Sequence, residues 1–479
     1  MGAARGEGEQ YIEPVRKQGF AALIIALLAA GHSVAAPLME NQNQYMLPVV
    51  GNRSDWLVGQ RDPFPAFTAL ARGLHDVGGV TAWRVAAFLL TAAALWGVYL
   101  VARALASGDA VPTVATLLVG LTLLPWWDLS AFYGLAGQYL MWKPGYLQPS
   151  AAGCLVLLAF GLWLVGRPWV AGVLAVIACV MHPIYAVVLG VGLAAALVAD
   201  LLTGARWRRT PGYVAVVIIG GGLAAALNPG VITLGGGDAA LTRFAFERIP
   251  HHTLWPLWDP RDLLLLAVVV AGIALSWSLS RWVTAWLGAA LAVALLSAVL
   301  VEWTRWTSLA LLFPWRITAV LVPVAATVIA VRVAMLLPRL SERRWRAPVL
   351  AVACGAAVWG VVDSVQQQSP TQWDPAVRAV LAARPTGVGI VPLSAQNVRA
   401  NAGVAVYVDW KSPPYAADGL SLWWERYDQV AGFERDPEAI CVGTWGREID
   451  WALLAVEPPS CMADWQVLAE GGGYRVLQR

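Results

Sequence analysis

Carboxylate, amide and aromatic side chains gather in one polar stretch of the chain, residues 39–81. Glu40 opens it, the run from Asn41 to Tyr45 follows directly, and Asp62 comes later with further acids on either side. A carboxylate acts as a general base on an acceptor hydroxyl when burial or its neighbours tune its pKa. Amides and tyrosines suit ligands rich in hydroxyl groups. Glu40 and Asp62 are therefore the candidate catalytic residues, and an ordinary solvated loop is the alternative.

A second group of candidate residues contains the only adjacent histidines of the chain, His251 and His252, which follow Arg248 closely. Histidine and arginine side chains together suit a phosphate or a sugar. Neighbouring histidines point in different directions on regular structure, and no metal-ligand spacing surrounds this pair, so no metal site is predicted. The alternative is a structural loop that its tryptophans hold against a membrane.

Three further residues complete the predicted site for a donor phosphate or sugar. His182 stands beside Pro183, which interrupts a long apolar run. Arg316 carries a permanent charge in an apolar segment and therefore needs an anionic partner, either a lipid-linked phosphate or an acid such as Glu302. Lys411 lies in a short segment that is rich in charged and aromatic residues, where ordinary surface charges are the alternative interpretation.

These residues must be positioned by elements that sit in a membrane. Of the 479 residues, 58% are hydrophobic and 13% are charged, which is too apolar for a soluble protein of this length. Apolar runs long enough to cross the hydrocarbon layer recur between residues 19 and 363. We predict an all-α polytopic protein with about eleven transmembrane helices. The predicted spans are 19–38, 82–106, 111–127, 150–166, 168–181, 184–203, 212–228, 262–280, 282–301, 308–335 and 347–363.

The distribution of arginine predicts the orientation of these spans. The connections with most of the basic residues fall on one side, which the positive-inside rule makes cytoplasmic together with the N-terminus. The long loops 39–81, 128–149 and 229–261 then lie on the outer face. If the break at Pro183 is only a kink in one long helix, the count drops to ten and the later spans invert.

The last part of the chain, residues 364–479, has a different pattern. Short apolar runs broken by Gly, Pro and Asp predict a small extracytoplasmic α/β domain, with residues 1–363 forming the transmembrane domain. Strands are predicted at 388–393, 402–409 and 451–456, and helices at 374–383 and 421–430. Cys441 and Cys461 are the only cysteines of this domain, and a disulfide between them is one of two open alternatives.

The chain resembles the GT-C class of polytopic glycosyltransferases in its architecture. An acid closes the first span, a long polar outer loop follows, His182-Pro183 breaks an apolar run, and an outer domain trails the spans. Three short segments are similar to an uncharacterised bacterial family of GT-C-like proteins: Asn41-Gln-Asn-Gln-Tyr, Arg248-Ile-Pro-His-His, and Tyr407-Val-Asp-Trp-Lys with Trp424-Glu-Arg. The resemblance implies that the catalytic acid lies on the first outer loop, at Glu40 or Asp62. The usual acidic pair of the class, Asp-Asp or Asp-Glu, is absent from this loop.

The sequence and the resemblance together lead to one functional hypothesis. The protein is expected to move a sugar from a polyprenyl-phosphate donor to an envelope glycan or lipid acceptor, in contact with membrane lipids. No cofactor and no nucleic-acid partner are predicted, and no nucleotide-binding signature occurs. The alternatives are a non-catalytic transporter or flippase of an envelope lipid or polymer, and an inactive GT-C-like scaffold. The near absence of charge in the middle of the spans favours the enzyme over the transporter.

Overall fold

The computed structural model describes residues 15–32, 41–106, 110–122, 147–204, 210–227, 238–258, 261–337, 342–366, 370–414 and 417–479. Up to residue 366, the described parts are almost entirely helical. The longer helices are α1 (Val15–His32), α2 (Asn41–Val50), α3 (Pro65–Leu105), α4 (Ala110–Leu121), α5 (Gly153–Leu164), α6 (Pro168–Met181), α7 (Ile184–Thr203), α8 (Thr210–Leu227), α11 (Arg261–Ser276), α12 (Arg281–Thr304), α14 (Thr318–Leu336) and α15 (Glu342–Gln366). Between them lie three short helices, α9 (Ala239–Arg243), α10 (Pro250–Thr253) and α13 (Thr307–Leu312).

Each of the eleven predicted spans overlaps one of the apolar helices. Within the described residues, five are long and apolar enough to cross a membrane: Pro65–Leu105, Ile184–Thr203, Arg281–Thr304, Thr307–Leu336 and Arg344–Asp363. The other apolar helices are shorter. The structure therefore has the composition of a helical membrane protein, and the count of eleven crossings stays a prediction.

The segment predicted as the first outer loop, residues 39–81, contains more helix than its polar sequence indicates. Helix α2 lies within it, and α3 begins at Pro65, well before the predicted span at residue 82. Helix α3 is kinked at Gly79, where φ is 57° and ψ is −139°. Only glycine adopts that backbone conformation without a steric penalty. The kink separates the loop part of α3 from its apolar part.

Small residues bring some of the helices into close contact. A Cβ atom added to Gly161 on α5 would lie 2.7 Å from the backbone oxygen of Gly97 on α3. Backbones can approach this closely only where side chains are absent, and membrane helices commonly associate in this way. Any larger residue at either position would push α3 and α5 apart.

The C-terminal part folds around one mixed sheet in the strand order β2-β1-β3-β5-β4. Strand β1 pairs in parallel with β2 and β3, while β5 pairs antiparallel with β3 and β4. The first three strands and the two predicted helices form where expected, but the hairpin of β4 and β5 was not predicted. The elements are α16 (Pro370–Trp373), α17 (Pro375–Ala383), β1 (Val388–Ile390), α18 (Val398–Ala402), β2 (Ala405–Val406), α19 (Ala417–Arg435), α20 (Ala439–Val442), β3 (Trp451–Leu454), β4 (Gln466–Gly471) and β5 (Tyr474–Gln478).

A disulfide joins Cys441, at the end of α20, to Cys461, with Cα atoms 5.5 Å apart. The bond closes the long connection between α20 and the turn that precedes β4. Of the two alternatives left open by the sequence, the bonded one is therefore observed. Helix α15 ends at Gln366, close to the predicted domain boundary, and that boundary stays a prediction.

Candidate functional site

The histidine pair sits on a short, tightly wound segment. Asp238 caps α9 by accepting the N–H of Ala240 at 2.8 Å. The chain then forms a π-helical turn, Phe244–Arg248, closed by the N–H of Ile249 donating to the Phe244 carbonyl at 3.1 Å. Helix α10 follows at Pro250, where the missing N–H of proline is tolerated. Such π turns occur frequently at functional sites.

His251 and His252 lie side by side on α10, with ring centroids 4.3 Å apart. Trp315 donates its indole N–H to the His252 carbonyl at 3.1 Å, which fixes α10 against the start of α14. The Thr253 hydroxyl donates to the Ala245 carbonyl at 2.7 Å and ties α10 back to the π turn. The backbone of the pair is thereby held from two sides.

Arg316 lies on the 3-10 turn Pro314–Ile317 that leads into α14. The residue before this turn, Phe313, has a φ of 45°, in the left-handed region that is unfavourable for a bulky side chain. The guanidinium of Arg316 lies 4.1 Å from the centre of the Phe313 ring. Glu302, considered from sequence as a partner for Arg316, pairs instead with Arg305 at 3.0 Å.

Three positive charges act on the two imidazoles. Burial, together with the charges of Arg248 and Lys411, lowers the pKa of His251 to about 4. Burial also lowers the pKa of His252 well below its ordinary value, with contributions from His251, Arg316, Lys411 and Arg248. Both rings are therefore neutral at pH 7, and the positive charge of the cluster resides on the two arginines and the lysine.

His182 lies at the end of α6, in the break between α6 and α7. Helix α6 ends at Met181 and α7 begins at Ile184, so the apolar run is broken into two helices, as predicted. The His182 Nδ1 accepts the N–H of Ile184 at 3.2 Å. Its ring centroid lies 4.9 Å from that of Phe64, and the charge of Arg316 acts on the imidazole.

Of the two candidate bases, Asp62 lies within the described residues. Asp62 is half-buried and accepts the N–H of Phe64 at 2.8 Å in the turn that leads into α3. Asp62 therefore lies two residues from Phe64, whose ring contacts His182 of the predicted donor site. Glu40 lies outside the described residues.

Lys411 is presented by a turn of the C-terminal part. The Oδ1 atom of Asp409 accepts the backbone N–H groups of Lys411 at 2.9 Å and Ser412 at 2.8 Å. A carboxylate that accepts two successive backbone N–H groups fixes the backbone conformation of the turn. The charge of Lys411 acts on both histidines of the pair, although Lys411 belongs to a much later part of the chain.

Arg248 joins the same two parts and has a role that sequence reasoning did not predict. Its Nε and Nη2 groups donate to the Trp410 carbonyl at 3.1 and 2.7 Å, and its guanidinium lies 3.9 Å from the centre of the Trp410 ring. Nearby, Arg243 forms a bidentate pair with Asp428, at 2.6 and 2.8 Å. The loop with the histidines is therefore docked on the turn with Lys411 and on α19.

The amides of the first outer loop also bind protein. Asn43, predicted to suit a hydroxyl-rich ligand, donates to the side-chain oxygen of Asn397 at 2.9 Å and is almost fully buried. Asn397 in turn donates to Asp374 at 2.9 Å, and Asp374 caps α17. This chain of side chains fixes α2 to the C-terminal part.

A buried ion cluster makes a further connection. Arg399 lies between Asp55 of the first outer loop and Asp409 of the Lys411 turn. Asp55 is one of the further acids of this loop, for which a solvated position was the alternative, and it is buried. No sequence signal distinguishes Arg399 from the other arginines of the chain, because its partner Asp55 lies 344 residues away.

Of the predicted donor-site residues, Arg248, His251, His252, Arg316 and Lys411 form one cluster, and His182 adjoins it through Arg316. Among the described residues, no group of three His, Cys, Asp or Glu side chains could hold a metal ion.

Comparisons with known proteins relate to the fold and to a short segment of the chain. The crystal structure of the Archaeoglobus fulgidus oligosaccharyltransferase tethered to an acceptor peptide has a TM-score of 0.50 at 13% sequence identity, covering 93% of this chain and 70% of that chain. A structure of the same enzyme with an inhibitory peptide and a dolichol-phosphate gives 0.48 at 12% identity, with coverages of 93% and 70%. Curated protein sequences give no match. Residues 382–430 match the model of a domain of unknown function, DUF6798, and include Arg399, Asp409 and Lys411. The fold is therefore similar to that of this archaeal oligosaccharyltransferase.

Proposed function

We propose that the protein is a membrane glycosyltransferase that moves a sugar from a polyprenyl-phosphate donor to a cell-envelope acceptor on the outer face of the membrane. One observation carries the proposal: Arg248, Arg316 and Lys411 come from three separate segments and direct positive charge onto a neutral histidine pair. Gathering like charges costs free energy unless an anion binds among them. Phosphate matches this need, since arginine, lysine and neutral imidazole all donate hydrogen bonds to its oxygens.

The position of the candidate base supports the same proposal. Arg316 acts on His182 as well as on His252, so the cationic cluster continues to the Phe64 ring and the turn that carries Asp62. A base and a phosphate site on neighbouring surfaces suit a reaction in which an acceptor attacks a phosphate-linked carbon. Glu40 stays the second candidate base.

The proposed reaction is a single group transfer. The acceptor oxygen forms a bond to the anomeric carbon of the sugar, while the bond between that carbon and the phosphate oxygen breaks. The phosphate leaves with the electron pair, and Arg316, Lys411 and Arg248 stabilise the charge that develops on it. Asp62 or Glu40 takes the proton that the acceptor loses.

The surroundings of the site support a lipid-linked donor and an outer location. The apolar helix α14, on which a polyprenyl chain can lie, begins directly after the turn that carries Arg316. The disulfide between Cys441 and Cys461 is of the kind that persists in oxidising compartments, which favours an extracytoplasmic C-terminal part. The similarity of fold to an oligosaccharyltransferase agrees with this activity, although one fold hosts many functions.

A transfer assay tests the proposal. Purified full-length protein is incubated with a panel of radiolabelled polyprenyl-phosphate sugars and envelope extract, and the labelled product is counted. We expect transfer by the wild type, loss in Arg316→Gln and Lys411→Ala, and loss in Asp62→Asn or Glu40→Gln. Arg305→Gln is the matched control, because Arg305 is an exposed arginine near the site that pairs with Glu302.

Each outcome has a defined meaning. Transfer that survives both Asp62→Asn and Glu40→Gln excludes both assigned bases. Transfer that survives Arg316→Gln and Lys411→Ala contradicts the phosphate site. Binding of the donor lipid without transfer to any acceptor favours a flippase or an inactive scaffold over an enzyme.

A further inference from the structure

Arg399, Asp55 and Asp409 form a buried ion cluster, and burial of charged groups costs free energy. Arg399 is 2% exposed, and the side chains of Asp55 and Asp409 are each 1% exposed. Its Nε donates to Asp409 at 2.6 Å and its Nη1 donates to Asp55 at 2.6 Å. Buried ion clusters often add little stability compared with apolar packing, so their geometry invites a functional explanation.

Each carboxylate of the cluster also organises the backbone beside it. Asp55 accepts the N–H of Leu57 at 2.9 Å and that of Val406 at 3.0 Å, which joins the first outer loop to β2. Asp409 accepts the N–H groups of Lys411 and Ser412. One guanidinium therefore connects the loop that carries Asp62 to the turn that carries Lys411.

Lys411 is unusual in the composition of this chain. The sequence contains three lysines, Lys17, Lys143 and Lys411, beside thirty arginines. A lysine ammonium is a compact charge on a flexible side chain, whereas an arginine can be fixed by two parallel hydrogen bonds. The position of a lysine charge therefore depends more strongly on the backbone that carries it. The turn shaped by Asp409 supplies that fixed backbone.

We propose that Arg399 is a positioning residue, which holds Asp409 so that the 409–412 turn directs Lys411 to the histidine pair. Arg399 acts through Asp409 and touches no substrate. The inference rests on the proposed function, because it assigns Lys411 to the binding of the donor phosphate. It adds a fixed link between that phosphate site and the loop of the candidate base.

Hydrogen exchange tests the link without any ligand. In Arg399→Lys, a single ammonium group replaces the guanidinium that donates to both carboxylates. In Asp409→Asn, an amide NH2 group replaces one carboxylate oxygen. It cannot accept a hydrogen bond from Arg399 or from the N–H groups of Lys411 and Ser412, which are all donors. We expect exchange at Lys411 and Ser412 to rise about tenfold or more in both variants, which is the loss of about one hydrogen bond, while strand β3 stays protected. Asp428→Asn is the matched control, since it removes an exposed ion pair between the same two parts of the protein.

Two exchange results overturn the proposal. Unchanged exchange at Lys411 and Ser412 in both variants shows that Arg399 does not hold the turn. Loss of protection throughout β3 in both variants assigns Arg399 to folding alone.

A double-mutant cycle measures whether the effect passes through Lys411. The affinity of farnesyl phosphate for the full-length protein in lipid nanodiscs is compared in the wild type, Asp409→Asn, Lys411→Ala and the double variant. We expect each single change to weaken binding about tenfold, from the loss of one charge-assisted contact. We expect the double variant to be no weaker than Lys411→Ala alone, because coupled residues are not additive.

The cycle separates the two proposals. Additive losses overturn the positioning role of Arg399 and leave the phosphate site standing. No binding by the wild type, or equal binding by wild type and Lys411→Ala, overturns the proposed phosphate site. The exchange measurement still decides whether Arg399 holds the turn.

Discussion

The guanidinium of Arg248 lies 3.9 Å from the centre of the Trp410 ring and donates twice to the carbonyl of the same residue. This one side chain thereby joins the loop of the histidine pair to the turn of Lys411. A residue expected to bind the lipid-linked donor also binds the protein's own C-terminal part.

Arg248→Ala should destabilise the protein by about 2 to 4 kcal/mol. The change removes a cation–π contact and two charge-assisted hydrogen bonds, and it leaves the Trp410 carbonyl without these donors. Thermal unfolding of the detergent-solubilised protein measures the change. Arg475→Ala serves as the control, because Arg475 pairs with exposed acids and such pairs contribute little. Equal unfolding temperatures for the two variants would contradict the docking role.

Acidification should destabilise the region around the histidine pair. Burial lowers the pKa of His251 to about 4, below that of an unfolded histidine at about 6.5. A group whose pKa is lower in the folded state than in the unfolded state binds a proton more readily in the unfolded state. The stability is therefore fully present above about pH 6.5 and is lost as the pH falls from there towards about 4.

For His251 alone, which is partly exposed, we expect a loss on the order of 1 kcal/mol between about pH 7.5 and pH 5. His252 adds a loss of the same sign. Unfolding measured across this pH range for the wild type and for His251→Gln checks the expectation. A wild-type curve as steep as that of the variant would assign the pH dependence to other groups.

Removal of the disulfide should destabilise the C-terminal part by about 3 kcal/mol. The bond joins Cys441 to Cys461, twenty residues apart, and the stabilisation follows from the closed loop in the unfolded chain. The double variant Cys441→Ser/Cys461→Ser is compared with Cys354→Ser, which changes a free cysteine. The result would disagree with this account if a reducing agent lowered the unfolding temperature of the double variant as much as that of the wild type.

Asn397→Ala should weaken the attachment of α2 to the C-terminal part. It removes the side chain that accepts from Asn43 and donates to Asp374, at a cost of about 2 kcal/mol for buried groups left unpaired. Faster hydrogen exchange in α2 and α17 is the expected signature. The neighbouring change Gln396→Ala, at a more exposed position, should leave both helices protected, and an equal effect of the two changes would argue against the network.

The helices of the membrane part were predictable because apolar runs repeat and breakers mark their ends. Pro183 indicated the boundary between α6 and α7, and the structure has it there. Helix α2 was not predicted, since its sequence is polar and contains Pro48. The hairpin of β4 and β5 was also missed, although Gly472 and Gly473, both with positive φ, mark its turn.

The candidate site was predictable only in part. The types of His251, His252, Arg316 and Lys411 suggested anion binding, but nothing in their spacing indicated that they converge, since convergence depends on long-range packing. The partners of Arg399 are 344 residues and 10 residues away along the chain. A single sequence does not specify such a pairing.

The candidate phosphate site draws its side chains from α10, from the turn before α14 and from the 409–412 turn. During synthesis the membrane helices emerge first, and the turn with Lys411 follows only after α15 has left the ribosome. A chain whose synthesis has reached α15 can therefore enter the lipid bilayer before the candidate phosphate site is complete. The candidate phosphate site is therefore assembled only after the 409–412 turn has been synthesised.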